Sequence, residues 1–401
     1  MTTSLFPNID WVGYVDWTVR DFHGYNTFRG STYNAYLIRG DKIALIDTVK
    51  APYAEKLLDN VAALAPLDTV DYVVVNHAEP DHAGALPAVL DACPNATVVT
   101  NQRCQGILSG YHDTSRWRWQ LVGTGDTLSL GNRTLSFLET PMVHWPDSMM
   151  TYVVEDKLLF SMDAFGQHYA SGGRFDDQEP FETVMWEAKA YYANIIMWAG
   201  KPIQRALEAA SALEIGMIAP SHGVIWRTHL DKILAAYQDW VVCRPTPKVL
   251  VVYESMWEST TQMARAIWEG ACQEGVSAKL FDLRASNNTL LATEVLDAAT
   301  IAWGSSTLNG GMLPLSGGAL TYLKGLRPLY KAGFAFGSYG WSKGGAAAVQ
   351  EMLQATKVEI LREPLECQWR PTPEVLEECR KAGAMLAEKA MQLSCPTQPG
   401  G

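Results

Sequence analysis

Residues 73–82 read VVVNHAEPDH. A run of β-branched residues stops at Asn76, and His77, Glu79, Asp81 and His82 follow within six positions. The apolar run predicts a buried strand over 71–75 with the polar group at its carboxyl end. On a helix, spacing by two points side chains apart; in a turn it lets several converge on one point. A polar loop after a strand is the plain reading. The rest of this half-chain argues for more. His144 follows a strand expected over 134–140, Asp163 ends one expected over 157–163, and His222 ends one expected over 215–222. A single histidine at a strand end is usually structural. Four strands that each deliver a ligand-type residue at the carboxyl end point to a metal centre.

This arrangement resembles the metallo-β-lactamase fold, whose motif is H-x-H-x-D-H followed by a distant His, Asp and His. The likeness covers roughly residues 30–230. Here Glu79 stands where the hydrolases carry a histidine. With it the site holds three carboxylates (Glu79, Asp81, Asp163) and up to four imidazoles. Hard oxygen ligands favour iron or manganese over zinc. Three negative charges nearly balance two ferrous ions, and Asp163 is a natural bridge between ions ~3.5–4 Å apart. Zinc and iron share these ligands, so the first half alone leaves both open.

Other expected elements of this half are a hairpin (33–40 and 42–49), strands at 96–100 and 150–156, and helices at 52–64, 83–93 and about 181–213. VVCRPTPKV, with Pro245 and Pro247, reads as a linker, which places the domain boundary at 246/247. At 401 residues there is room for two or three domains. The composition, 48% hydrophobic and 19% charged, is ordinary for a soluble globular protein. A formal net charge of −11 argues against nucleic acid or an anionic membrane as main partner. The opening MTTSLFPNIDWVGYV has no basic region and no sustained apolar core, so no export signal is expected. No apolar run approaches the ~20 residues of a spanning helix. The seven cysteines are scattered, odd in number and without a CxxC pair. They suit a reducing cytoplasm and disfavour a fused iron–sulfur module.

After residue 247 the chain alternates strand and helix cleanly, which implies a doubly wound parallel sheet. KVLVVYESMWESTTQMARAIWEGA is strand, hydroxyl-rich loop and helix. A phosphate fits the backbone N–H groups at that helix start, with Ser255, Ser259, Thr260 and Thr261 as hydroxyl donors. The plain alternative is an ordinary Ser/Thr N-cap. There is neither an ATP-type phosphate loop nor a GxGxxG fingerprint. Two further loops, WGSSTLNGGM (303–312) and GSYGWSKGG (337–345), fall at strand ends, where ligands bind in such sheets. Met256, Trp257, Tyr339 and Trp341 offer stacking surface for an isoalloxazine ring. Backbone from Ser305, Ser306, Thr307, Leu308, Asn309 and Gly310, and from Ser338, Tyr339, Gly340, Trp341 and Ser342, offers hydrogen bonds. The set resembles the flavodoxin fold with FMN and covers nearly all of 248–395.

A metallo-β-lactamase-like αββα sandwich (1–246) followed by a flavodoxin-like domain (247–401) resembles the flavodiiron protein family, of the rubredoxin:oxygen oxidoreductase type. RDFHGY (21–26), STYNAYL (31–37), HWPDSM (144–149), SHGVIW (221–226), YESMWEST (253–260) and GSYGWS (337–342) strengthen the likeness. It implies one iron held by His77, Glu79 and His144. The other would be held by Asp81, His222 and His82, with Asp163 bridging. Histidines equivalent to His82 do not coordinate in every relative. FMN phosphate would lie on residues 255–260. Lys343 departs from the commoner glycine-rich continuation and is expected to alter the flavin's rim or potential.

The implied chemistry is reduction of O2 to water, or of NO to N2O. Water formation takes four electrons; a reduced flavin and a diferrous pair store two each, a matched supply. His23, Trp145, His168 and Tyr192 are candidates to line the gas pocket or donate protons, His23 and Tyr192 foremost. With no rubredoxin module fused, electron transport requires a separate rubredoxin-like donor. The resemblance also implies a head-to-tail homodimer or a dimer of dimers. Two rivals are a zinc hydrolase with a flavodoxin-like appendage and an FMN electron-transfer module whose metal domain is structural.

Overall fold

The computed structural model describes residues 2–395, and the chain divides into two compact units. The first takes the chain up to Tyr192 together with Ala199–Tyr237; the second takes Ala193–Trp198 and the described chain from Gln238 onward. The division falls inside the helix Leu230–Val241, ahead of the expected 246/247. The proline-rich stretch is no free linker: the first strand of the second unit begins at Thr246 and carries Pro247 in its opening turn of backbone. Pro at a strand start loses no interior ladder bond.

The first unit is built on two large sheets, beside two short two-stranded ones (Tyr14–Asp16 with Ser31–Tyr33, and Asp21–Phe22 with Tyr25–Asn26). A seven-stranded mixed sheet runs Thr3–Phe6, Ile9–Trp11, Tyr36–Arg39, Ile43–Ile46, Val70–Val74, Thr97–Thr100 and Trp119–Leu121 in spatial order. A five-stranded sheet runs Thr127–Ser129, Thr134–Glu139, Met149–Val153, Leu158–Met162 and Met217–Pro220. The expected hairpin is present, with Tyr36 opposite Ile46 and Arg39 opposite Ile43. Ile38, Ile46, Val74 and Val99 of one sheet and Leu135, Phe137, Val153 and Phe160 of the other belong to one buried core. Strands Met149–Val153 and Leu158–Met162 are buried at every position, which explains their near-continuous apolar text.

The stretch expected to be helical over 181–213 is broken. Helix Phe181–Tyr191 passes into a π-helical turn at Tyr192–Ile196 and a short 3-10 turn, and a second helix starts at Gly200. The expected helix at 83–93 is likewise two pieces, Pro80–Ala83 and Leu86–Ala92.

In the second unit the strands lie in the order Ser277–Asp282, Thr246–Glu254, Ala298–Ser305, Ala332–Tyr339, all parallel. Glu359–Ile360 and Leu365–Gln368 both pair with Ala332–Tyr339 beyond them. This is the doubly wound order in which the first strand sits inside the sheet, so that ligands meet the strands' carboxyl ends at the switch point. Helices Ser259–Ala271 and Pro373–Ser394 share its buried core. All seven cysteines are unpaired, and no helix among the described residues is long and apolar enough to cross a membrane.

Candidate functional site

Each expected metal-ligating residue sits where its strand stops. Past Val70–Val74 the backbone of Asn76 donates to Asp47 Oδ1 at 2.7 Å, and its side chain bridges Asp47 and Thr151. His77 is therefore delivered from an immobilised stem. Pro80 then opens a one-turn helix, and its fixed φ suits that first position. Glu79 caps it, and Asp81 and His82 ride on it. His144 lies in the loop after Thr134–Glu139, while Asp163 and His222 follow within two residues of Leu158–Met162 and Met217–Pro220.

These side chains form two adjoining groups: His77, Glu79, His144 and Asp163, then Asp81, His82 and His222. Glu79 Oε2 is 3.1 Å from both His77 Nε2 and His144 Nε2. Asp163 Oδ2 turns to the same group, 3.3 Å from His144 Nε2. Its other oxygen, Oδ1, is 3.1 Å from His82 Nε2 and 3.5 Å from His222 Nε2. One carboxylate thus faces both groups. Everything except His144 is almost wholly buried.

The outer nitrogens are fixed as well. His77 Nδ1 faces Asp147 Oδ2 at 3.1 Å, and the same oxygen accepts from Ala78 N at 2.7 Å. His222 Nδ1 donates to the Thr32 carbonyl at 2.6 Å, which turns Nε2 inward. Gly223, at φ +79°, lets the chain leave His222 hard against Gln167, where a Cβ would collide.

The electrostatics describe a cluster that wants cations. Burial opposes charge on His77, but Asp147 and Glu79 outweigh it and hold the imidazole up at about 10. His144 is likewise held at about 10, against burial, by Asp163 and Glu79. Burial also opposes charge on His82, which Asp81 and Asp163 keep at about 9. Despite burial, the surrounding histidines depress Glu79 and Asp163. Protons on the imidazoles are neutralising buried carboxylates, the role a bound cation takes over. Buried Asp81 Oδ1, His82 Nε2 and Asp163 Oδ2 have no hydrogen-bond partner. Two oxygens and a nitrogen that converge within ion-pair distance of their neighbours yet make no hydrogen bond fit metal ions.

Around the cluster, His23 Nε2 lies 2.8 Å from Glu79 Oε1 while over half its side chain is exposed, so it marks the mouth. Its hydrogen bond to Glu79 raises its pKa. Trp145 stands edge-on to His77, their ring centroids 5.0 Å apart. His168 lies 5.1 Å from the His222 ring; burial and His222 keep it neutral, bonded to Tyr25 and Ser31. The buried Tyr192 ring meets Tyr237, whereas its neighbour Tyr191 donates its hydroxyl to Asp163 Oδ1 at 2.8 Å. The π-turn that begins at Tyr192 sets which of the two faces the cluster. Sequence reasoning also missed Asp147, whose only signal is its place in HWPD.

The second unit holds a cleft of about 690 Å³ at its strand ends. Met256, Trp257 and Ser259 line it from the first expected loop, residues 306–310 from the second and 338–342 from the third. Ser255, Thr260 and Ser305 do not line it. Ser305 is tied inward by the Leu313 amide. Thr260 Oγ1 instead joins Ser306 and Ser338 hydroxyls, each at 2.9 Å, stitching the three loops together. Ser255 Oγ is buried without a partner. Gly344, at φ +150°, passes so close to the Gly310 carbonyl that no Cβ fits. Trp369, which no sequence signal marked, completes the lining, and its ring lies 6.4 Å from that of Trp341. The volume, aromatic faces and hydroxyl-rich helix start fit a phosphorylated planar ligand such as FMN.

Comparison with known proteins agrees with both halves. Residues 32–223 match the ODP family beta lactamase model and residues 251–383 the flavodoxin model. A nitric oxide reductase of Moorella thermoacetica is 44% identical over 96% of this chain and 98% of its own. An anaerobic nitric oxide reductase flavorubredoxin of Aeromonas hydrophila is 40% identical over 97% of this chain and 80% of its own. Among solved structures, the flavodiiron protein from Giardia intestinalis superposes with a TM-score of 0.96 at 39% identity, covering 98% of each chain. Rubredoxin oxygen:oxidoreductase from Desulfovibrio gigas also gives 0.96, at 37% identity, covering 98% of this chain and 100% of its own. With such identity sustained along both units, and with the carboxylate-rich cluster and the aromatic cleft in place, this chain belongs to the flavodiiron protein family.

Proposed function

We propose that this chain is an oxidoreductase that reduces O2 to water, NO to N2O, or both, through a non-haem di-iron centre and FMN. The observation that carries the reading is Asp163, with one oxygen toward His77, Glu79 and His144 and the other toward Asp81, His82 and His222. His77, Glu79 and His144 would hold one iron and Asp81, His82 and His222 the other, with Asp163 available to both. When bound, the di-iron centre would supply the gas-reducing chemistry and FMN the electrons for it. The chain's own part is to orient and exclude. Asp147 and the Thr32 carbonyl fix the imidazoles of His77 and His222. Tyr191 holds a proton against Asp163, and His23 holds one at Nε2 where the pocket opens. Nearly complete burial keeps water from the carboxylates.

FMN occupies the cleft between 255–260, 305–310 and 338–342, with Trp369 added to its walls. A rubredoxin-like protein is the electron donor. A head-to-tail homodimer, or a dimer of dimers, is the assembly the family resemblance implies. Seven unpaired cysteines, five of them buried, support a reducing cytoplasm.

The test is metal and flavin analysis of the purified protein, then anaerobic reduction and exposure to O2 and to NO at calibrated electrodes. Two irons and one FMN per chain with gas consumption are expected. Two zinc ions and no gas consumption would instead indicate the hydrolase.

A further inference from the structure

The loop 338–342 is fastened to strand Leu365–Gln368 and the residue after it by three clips. Trp369 N donates to the Tyr339 carbonyl at 2.7 Å, and Gln368 Nε2 donates to the Gly340 carbonyl at 3.0 Å. The third is an ion pair, Lys343 Nζ to Glu366 Oε2 at 3.0 Å. The first two join neutral groups, one backbone to backbone and one side chain to backbone. The third places opposite charges beside the cleft: Lys343 Nζ lies 5.2 Å from the centroid of the Tyr339 ring, and Tyr339 lines the cleft. Glu366 is mostly buried and Lys343 mostly exposed.

We propose that the Lys343–Glu366 pair sets the reduction potential of the flavin, with Lys343 favouring the reduced form and Glu366 restraining it. The proposal rests on the FMN reading above. A flavin gains negative charge on reduction, and charges near its ring are a main way a protein tunes it. A ring stacked on Tyr339 would lie roughly 10 Å from the ammonium, within reach of a partly screened charge. Because the pair is nearly neutral as a whole, removing one partner uncovers the other, so the two removals act with opposite sign. Loss of the clip as a mere fastening has the same sign whichever partner is removed. That difference separates electrostatic control from loop support.

The experiment is potentiometric titration of FMN in the full-length, metal-loaded protein. Lys343→Gln is expected to shift the ratio of reduced to oxidised flavin affinity about threefold toward the oxidised form, or about 30 mV lower per one-electron step. Glu366→Gln is expected to move it about threefold the other way, and Lys343→Arg to keep the wild-type value. Both shifts should shrink as salt is raised, since Lys343 faces solvent. Same-sign shifts, or none with FMN fully bound, overturn the proposal and leave the flavin reading standing. A protein that binds no FMN overturns both.

Discussion

The metal cluster is built inward and the flavin cleft outward. His77, Asp81, His82, Asp163 and His222 are all buried, whereas Trp257 and Trp341 at the cleft rim are 87% and 88% exposed. In the cluster, most charged atoms are removed from water and depend on two or three named neighbours, so removing one leaves others buried without compensation. In the cleft, binding is spread over backbone groups, hydroxyls and aromatic faces that partly substitute for one another. Single losses should be near-total in the first and graded in the second.

The largest expected effect follows from Asp163, the one carboxylate common to both metal groups. Asp163→Ala should leave less than one tightly held iron per chain and lower turnover by at least about 100-fold, with FMN content unchanged. Elemental analysis beside a gas-electrode assay checks it; a variant that keeps two irons would show that the groups are independent. Asp147→Asn comes next. It keeps the shape but weakens the hold on His77, so iron affinity should fall by about 10–100-fold in a chelator competition. Trp369→Ala tests the graded side: FMN dissociation followed by fluorescence should weaken by roughly five- to tenfold, with metal content untouched. An effect as severe as that of Asp163→Ala would erase the contrast.

The smallest effect concerns a buried charge away from both sites. Glu187, paired with Arg29, is pushed by burial up to about 7. A carboxyl whose folded pKa is raised adds stability below its ordinary value near 4.5, and this is lost as pH rises through about 7. Glu187→Gln should therefore gain on the wild type between pH 5 and pH 8 by on the order of 1 kcal/mol, read from urea unfolding at the two pH values. A difference that stays flat with pH would mean the carboxylate is fully compensated by Arg29.

The two sites also differ in how far the sequence disclosed them. Ligand-type residues at strand ends are a discrete signal, and His77, Glu79, Asp81, His82, His144, Asp163 and His222 do converge. Strand alternation and turn residues likewise gave the sheets. Partners joined only through space were hardly readable: Asp147 beside His77 had only its place in HWPD, and Trp369 beside Gly340 has no local pattern. Tyr191, the neighbour of Tyr192, carries no local signal either: YYANIIMWAG has no breaker before Gly200, so nothing in it announces a π-turn. The cleft's three loops were found because glycine and hydroxyl clusters mark phosphate and ring loops. Which hydroxyls face inward is settled by packing, as Thr260 and Ser305 show.

The ligand-type residues of the cluster are scattered from His77 to His222 along the chain, and this has a bearing on synthesis. A nascent chain lacks a complete second metal group until more than half of it has been made. The ribosome's product must therefore fold its first unit before it can retain both ions, and iron insertion belongs to the finished domain rather than to the growing one.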